Sequence, residues 1–300
     1  MADPIVIFLT SGTSWQVPSD WNNDDNIIEC IGGGQAGENG NPSNRTGDGG
    51  RGGDYARIVN LTLTPGATVN YAVGAGGSSN GANGGDTWFN GTNASNASVV
   101  AKGGGSSTTS VGSLIRTGGS GGIYETSKVG SSGGGGGGAG GPDGNGGNGS
   151  NAGGGGGANG GGNGSVPTGG AGNAGGGAGG DAGISGNVTG KPGGHGNKWT
   201  QTSDNATAGP GGGGGGGFVS STGHGGAGGN YGGGGGGGGS LSTATTNGGP
   251  GGSGIIVITY TPKTGFSGIY LGETQINAIK LGGTDIKAVY FGSTKIFEKA

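Results

Sequence analysis

The residues of this chain that could take part in chemistry are few and widely spaced. His195 and His224 are its two histidines; each lies among glycines, and neither belongs to a nucleophile or metal-binding motif. The asparagines and aspartates at residues 23–26 could ligate calcium, but a solvated turn is the favoured interpretation. Cys30 lies in an apolar run, which predicts a buried strand residue rather than a reactive thiol. The sequence therefore predicts no enzyme, no cofactor and no metal site.

The overall composition narrows the classes of partner. The net charge is -3, and only one Arg-Gly pair occurs, so the chain lacks the basic surface of a nucleic-acid-binding protein. The apolar stretch Ile5–Leu9 has no basic region before it, and no run approaches the roughly 18 to 20 apolar residues of a membrane span. We therefore expect no nucleic-acid partner and no signal peptide, with synthesis in a cytoplasm.

The elements that would position any functional group are dominated by glycine, which makes up 95 of the 300 residues and is concentrated between residues 103 and 254. Such a segment forms either a flexible coil or a bundle of polyproline II-type helices, which can bond laterally where no Cβ intervenes. Glycine runs of similar length alternate with other residues, as antiparallel rods joined by turns would, and this favours the bundle. The inserts between runs lie at residues 163–168, 181–210, 218–224 and 240–247. A collagen helix is excluded because there is no Gly-X-Y period.

The rest of the sequence predicts an all-β fold with irregular regions, built on a small antiparallel β-sandwich. Ile5–Leu9 and Asn26–Ile31 have the composition of strands, and residues 55–63 and 67–73 flank a Pro-Gly turn that predicts a hairpin. Thr87–Phe89 and residues 98–102 predict a second pair of strands with an irregular connection. The very apolar residues 254–261 are expected to return to the same sheet.

These patterns define two expected regions. A glycine-rich domain covers residues 1–262, with its scaffold at residues 1–102 and 254–262 and a polyglycine II (PPII-type) helix bundle inserted at residues 103–253. Residues 263–300 repeat every ten residues with a Gly-X pair between strands, which predicts short C-terminal β-hairpins with type II′ turns. Such hairpins are too small to be stable alone, so they are expected to pack on the main domain or on other copies. Self-association is preferred, with a homotrimer favoured.

Short framework segments occur together along the chain: SGTSWQVP at residues 11–18, IGGG at 31–34, LTLTPG at 61–66, GDTWF at 85–89 and GIIVI at 254–258. This combination resembles the glycine-rich domain of tailed-bacteriophage tail and fibre proteins, and the decapeptide ending resembles short repeats of phage structural proteins. In the adhesins of that group, glycine rods form a sandwich whose end loops contact the host. The resemblance implies a virion protein made in a bacterial host. It would be a tail fibre or receptor-binding tip that recognises a cell-surface glycan or an outer-membrane protein and assembles with other virion proteins.

If the end loops recognise the host, the inserts between glycine runs carry the contact residues. Residues 181–210 are the longest insert, and Trp199 with its polar neighbours is suited to stacking on a sugar ring. The predicted receptor-binding residues are Asn187, His195, Asn197, Lys198, Trp199, Phe218, His224 and Tyr231.

Other classes of function stay open. The domain could be a spacer in a head decoration, neck or baseplate protein, without receptor binding. An ice-binding or matrix protein would show ordered threonine or alanine spacing along the rods, which this sequence lacks. An enzyme is the least supported class.

Overall fold

The computed structural model describes residues 2–41, 46–123, 132–151, 153–155, 168–173, 176–185, 187–240 and 245–263, and the strands between residues 269 and 298. Its regular elements are β-strands in antiparallel sheets, which confirms the all-β class. No residue in these ranges lies in a helix, and so no helix there could cross a membrane. The assigned elements likewise do not support the helix bundle expected between residues 103 and 253.

Two antiparallel sheets form the scaffold. Their strands, with one further pair, are β1 (Ile5–Leu9), β2 (Ser14–Gln16), β3 (Asn26–Ile31), β4 (Tyr55–Val59), β5 (Thr68–Ala72), β6 (Thr87–Phe89), β7 (Val99–Ala101), β8 (Leu114–Arg116), β9 (Trp199–Thr200), β10 (Thr207–Ala208) and β11 (Ile255–Tyr260). The first sheet has the order β1-β11-β3-β4-β8, and the second has the order β2-β5-β6-β7. β11 returns to the first sheet as predicted, and it lies between β1 and β3, where its side chains are almost all buried.

One hydrophobic core joins the two sheets. It contains Cys30 and Ile256 from the five-stranded sheet and Phe89 from the four-stranded sheet, all fully buried. Trp21, in the turn-rich segment after β2, packs edge to face against Trp15 with ring centroids 5.6 Å apart. The prediction for Cys30 is confirmed, and its burial raises the pKa of the thiol, which keeps it protonated.

Residues 55–63 and 67–73 do not form the predicted hairpin. β4 belongs to the five-stranded sheet, whereas β5 belongs to the four-stranded sheet. Asn60 has a φ of 54°, and the Asn26 side chain then binds the backbone of Leu61, accepting its N–H at 2.9 Å and donating to its C=O at 3.2 Å. The chain therefore leaves one sheet and crosses to the other. The prediction was wrong because alternation shows which faces are buried but not which strand is the partner.

The glycine segments are joined by backbone hydrogen bonds to one another. The residues of segment 133–140 donate in turn to three different neighbours, residues 211–217, residues 47–53 and residues 147–150. Every third residue returns to the same neighbour: Gly134, Gly137 and Gly140 donate to carbonyl groups three residues apart in the second of these, at 2.9–3.0 Å.

The same bonding extends beyond residues 103–253. Residues 32–38 donate to residues 48–54, to residues 82–85 and to residues 249–252, again with a repeat of three. These segments leave and enter the strands of the five-stranded sheet directly, since β3 ends at Ile31 and β4 begins at Tyr55. The scaffold and the glycine region are therefore parts of one hydrogen-bonded structure.

The C-terminal repeat forms the predicted hairpins. They are β12 (Ile269–Leu271) with β13 (Thr274–Ile276), β14 (Lys280–Leu281) with β15 (Thr284–Asp285), and β16 (Ala288–Phe291) with β17 (Thr294–Glu298). The Gly-X pairs of their turns lie outside the described residues. Self-association of these hairpins stays a prediction.

Candidate functional site

The glycine segments run between two ends of the molecule. Segment 209–217 follows β10, and near its start Gly211 donates to the carbonyl of Tyr231, which packs beside the five-stranded sheet. Just beyond its other end, Phe218 donates to the carbonyl of Val188 at 2.8 Å. The segment therefore runs from the five-stranded sheet to the part of the chain that contains Val188. We call the end at the sheets proximal and the opposite end distal.

Residues 181–210 do not form a single loop as expected. Ile184 and Asn187 exchange backbone hydrogen bonds of 2.8 and 2.9 Å, which close a tight turn at the distal end. Residues 190–196 then run back to the proximal end as another glycine segment, and residues 197–208 contain the small hairpin of β9 and β10 there. The insert therefore contributes to both ends.

A pocket of about 270 Å³ opens beside the distal turn. It is lined by Thr168, Asp181, Ala182, Ile184, Asn187 and Lys191. Asn187 is exposed. Ile184 is 52% exposed, although large apolar side chains are usually buried. The pocket thus combines an apolar side chain with amide, hydroxyl, carboxylate and ammonium groups within a small volume.

Asp181 and Lys191 form the charged side of this pocket. The two side chains make an ion pair of 2.8 Å, and the other carboxylate oxygen of Asp181 accepts the N–H of Gly169 at 3.0 Å. The hydrogen bond from Lys191, followed by that from Gly169, lowers the pKa of Asp181 below its ordinary value of 3.8. The carboxylate is therefore ionised at neutral pH, and the pair carries no net charge.

Two further predicted residues, Phe218 and His224, lie near the distal turn. Phe218 is bonded to Val188 through its backbone and is half-buried. Nδ1 of His224 accepts the backbone N–H of Asn247 at 2.9 Å, which links two neighbouring chain segments. We call Asp181, Ile184, Asn187, Phe218 and His224 the distal group.

The other predicted residues lie at the proximal end, away from the distal group. Trp199 and Tyr231 pack against a second cluster of buried residues that includes Ile31 and Ile255 of the five-stranded sheet. Lys198 forms an ion pair of 2.6 Å with Asp143. These contacts attach the segment to the scaffold, so Trp199 does not share a surface with Asn187.

Glu29 is the buried partner of this proximal cluster. Its carboxylate accepts the hydroxyl of Tyr55 at 2.6 Å and a hydrogen bond from the Trp199 side chain. Burial raises the pKa of Glu29 above its ordinary value of 4.5, and those hydrogen bonds offset the effect in part.

His195 and Asn197 are exposed at the proximal end. Nδ1 of His195 accepts the N–H of Asn230 at 3.0 Å, so it joins two segments in the same manner as His224. Within the described ranges, no group of three or more histidine, cysteine, aspartate or glutamate side chains could hold a metal ion.

Sequence reasoning missed Asp181 and Lys191 as functional candidates. A signal was present in the spacing of Gly190, Gly193 and Gly196, which are buried, while Lys191 and His195 between them are exposed. A glycine at every third position marks a segment with one face packed against its neighbours. That spacing would have divided residues 181–210 into a distal turn, a glycine segment and a proximal hairpin.

No protein-family model matches the chain, and a search of curated proteins gives no significant match.

Proposed function

We propose that the glycine segments form a polyglycine II bundle. The support is the repeat of three, with each inner segment bonded to three neighbours, because a helix of three residues per turn directs successive N–H groups to different sides. A pleated strand instead alternates with a period of two between two neighbours. A polyproline II-type helix has no internal hydrogen bonds. It is therefore not among the α-helices and 3₁₀-helices, which are assigned from hydrogen bonds within the helix.

Close lateral packing supports the same proposal. A Cβ added at Gly213 would overlap the carbonyl oxygen of Gly136, and one added at Gly234 would overlap that of Gly50. The obstacles are backbone atoms of other segments, which are themselves held by hydrogen bonds. The bundle would therefore behave as a rigid block despite the large entropy that glycine loses on ordering.

We infer from this architecture that the protein is a structural protein of a tailed-bacteriophage virion that binds a receptor through its distal end. The observation that carries the proposal is the position of the distal turns. Ile5 pairs with Tyr260, so the strands that enter and leave the scaffold meet at one place, at the ends of β1 and β11 remote from the glycine segments. The glycine segments would thus hold the distal group away from the ends of β1 and β11, as expected of a receptor-binding tip.

The receptor we propose is a bacterial surface glycan or an outer-membrane protein. The exposed distal side chains include apolar, amide and charged groups, and receptor-binding loops on a rigid scaffold commonly have such a mixture. Other virion proteins would hold the opposite end, through the scaffold or the C-terminal hairpins.

The test blocks the distal end and the proximal end of the protein separately. Thr222 in a distal turn and Thr200 in the proximal hairpin are both exposed, whereas the native Cys30 is fully buried and unreactive. Thr222→Cys and Thr200→Cys are each coupled to a bulky maleimide polymer, and binding to a panel of fluorescently stained bacterial strains is measured by flow cytometry.

We expect the protein blocked at residue 222 to lose cell binding and the protein blocked at residue 200 to keep it. Binding to no strain, or equal binding by both blocked proteins, would contradict a receptor-binding tip and favour a spacer. The unblocked variants show whether either substitution alone impairs the fold.

A further inference from the structure

We propose that the pocket beside the distal turn binds one neutral pyranose unit of a surface glycan, an inference that rests on the proposed receptor-binding function. The polar and apolar side chains that line it include those of Asp181, Ile184, Asn187 and Lys191. At this site the ligand is then a sugar rather than a protein, and the pair of Asp181 and Lys191 contacts it.

The size of the pocket suits a single ring. A volume of about 270 Å³ is just below the roughly 300 to 1,000 Å³ of pockets that hold drug-sized ligands. A longer chain of sugars would extend out of the pocket over the distal surface.

The polar groups suit neighbouring hydroxyls. A sugar hydroxyl both donates and accepts a hydrogen bond, and a pair of adjacent hydroxyls can bridge a carboxylate and an ammonium group. Asp181 supplies acceptors, Lys191 supplies donors, and the Asn187 amide can do both. The ion pair is substantially exposed, with 60% of the Lys191 side chain and 39% of the Asp181 side chain accessible. Such surface pairs contribute little to stability, so a ligand can bind both partners without a large cost.

The charge and the apolar wall favour a neutral ligand over an anionic one. Lys191 is already paired with Asp181, so no uncompensated positive charge faces the pocket to hold a carboxylate or a phosphate. Ile184 offers an apolar side chain, and the C–H face of a pyranose can cover it and remove that surface from water.

The experiment follows the isoleucine methyl signals of the full chain by NMR. Methyl glycosides of glucose, galactose and mannose are added separately, with the methyl glycoside of N-acetylneuraminic acid as the anionic probe. We expect at least one neutral glycoside to shift the Ile184 methyl signal, which Ile184→Val identifies, and the acidic one to leave it unchanged. Asp181→Asn and Asn187→Ala should each weaken the binding at least tenfold. Asn70→Ala, the matched change of an exposed asparagine in β5, should have no effect.

Three results would overturn the proposal: no shift from any neutral glycoside, a shift from the acidic glycoside alone, or affinities that Asp181→Asn and Asn187→Ala leave unchanged. The outcome is separable from the receptor-binding function. If blocking residue 222 abolishes cell binding while the pocket variants bind cells normally, the tip function stands and the sugar pocket does not.

Discussion

At the scale of single residues, neighbouring glycines of one segment have different surroundings. A Cβ added at Gly193 would overlap the carbonyl oxygen of Gly212, whereas one added at Gly194 would lie 3.0 Å from the nitrogen of Ala178. Overpacking costs about 1 to 3 kcal/mol in cores that can adjust, and a hydrogen-bonded backbone adjusts less easily than a side chain. We expect Gly193→Ala to lower the free energy of unfolding by at least about 2 kcal/mol more than Gly194→Ala.

Urea or thermal unfolding of both variants measures this difference. The two substitutions add the same methyl group and remove the same backbone freedom from the unfolded chain, so Gly194→Ala is a direct control. Equal stabilities would show that the segments are not packed closely at Gly193, and the polyglycine II proposal would lose its main energetic support.

Glu29 should make stability depend on pH. Burial raises its pKa in the folded protein, so the contribution of this group to stability is fully present below pH 4.5 and is lost as the pH rises through the folded pKa. Glu29→Gln has no charge to bury. We therefore expect the stability of Glu29→Gln relative to the native protein to increase from pH 4 to pH 7, measured by denaturant unfolding at each pH. Parallel pH profiles would contradict this.

The roles of single residues were only partly predictable. The sequence indicated correctly that Cys30 is buried, because it lies in an apolar run. It did not indicate that His195 and His224 each accept a backbone N–H from a neighbouring segment, since those partners lie 35 and 23 residues away. Trp199 looked like a surface ring suited to sugars, but the structure packs it against a buried cluster that distant strands create.

At the scale of elements, the free edge of β1 is covered by two side chains of the proximal hairpin. Thr202 accepts the N–H of Val6 at 2.8 Å, and Gln201 accepts the N–H of Phe8 at 2.9 Å. An edge strand with unpaired amides is a template for pairing with another chain. The double variant Gln201→Ala/Thr202→Ala should therefore associate beyond the oligomer of the native protein, in a concentration-dependent way.

Sedimentation velocity of that double variant over a range of concentrations gives the measurement. Thr200→Ala removes a similar exposed side chain from the same hairpin and should sediment like the native protein. If the double variant also sediments like the native protein, the two side chains do not protect the edge.

Element prediction succeeded where composition alone decides the structure. β1 and β3 have their predicted bounds, because each is a short apolar run between turn signals. The hairpin of residues 55–63 and 67–73 failed because strand pairing depends on Asn26, 35 residues before the Leu61 that it binds. The glycine segments outside residues 103–253 were missed because other residues interrupt their runs of glycine, as at residues 32–40, although the hydrogen bonds there keep the repeat of three.

At the scale of the whole molecule, the chain passes repeatedly between the sheets and the distal turns. Residues 32–41 lead out from β3 and residues 46–54 lead back to β4, and the chain reaches β11 at the end of another such passage. The expected small β-scaffold is therefore present, but which inserts share an end could not be read from their order. Whether two inserts lie at the same end depends on the direction of each glycine segment, and only the hydrogen bonds between segments establish that direction.

The C-terminal hairpins provide the last prediction, which concerns assembly. In the described residues, each of their strands pairs with the other strand of its own hairpin, and two-stranded hairpins are marginally stable alone. By contrast, the scaffold is complete without them, since β11 ends at Tyr260 and Lys263 still donates to the carbonyl of Asp20.

We expect the chain truncated after Lys263 to fold as a monomer, whereas the full chain forms the predicted trimer. Sedimentation equilibrium compares the two masses, and far-ultraviolet circular dichroism checks the fold. A truncated chain that stays trimeric would place the contacts between copies on the scaffold or the glycine block, whereas a monomeric full chain would remove the reason for assigning assembly to the repeats.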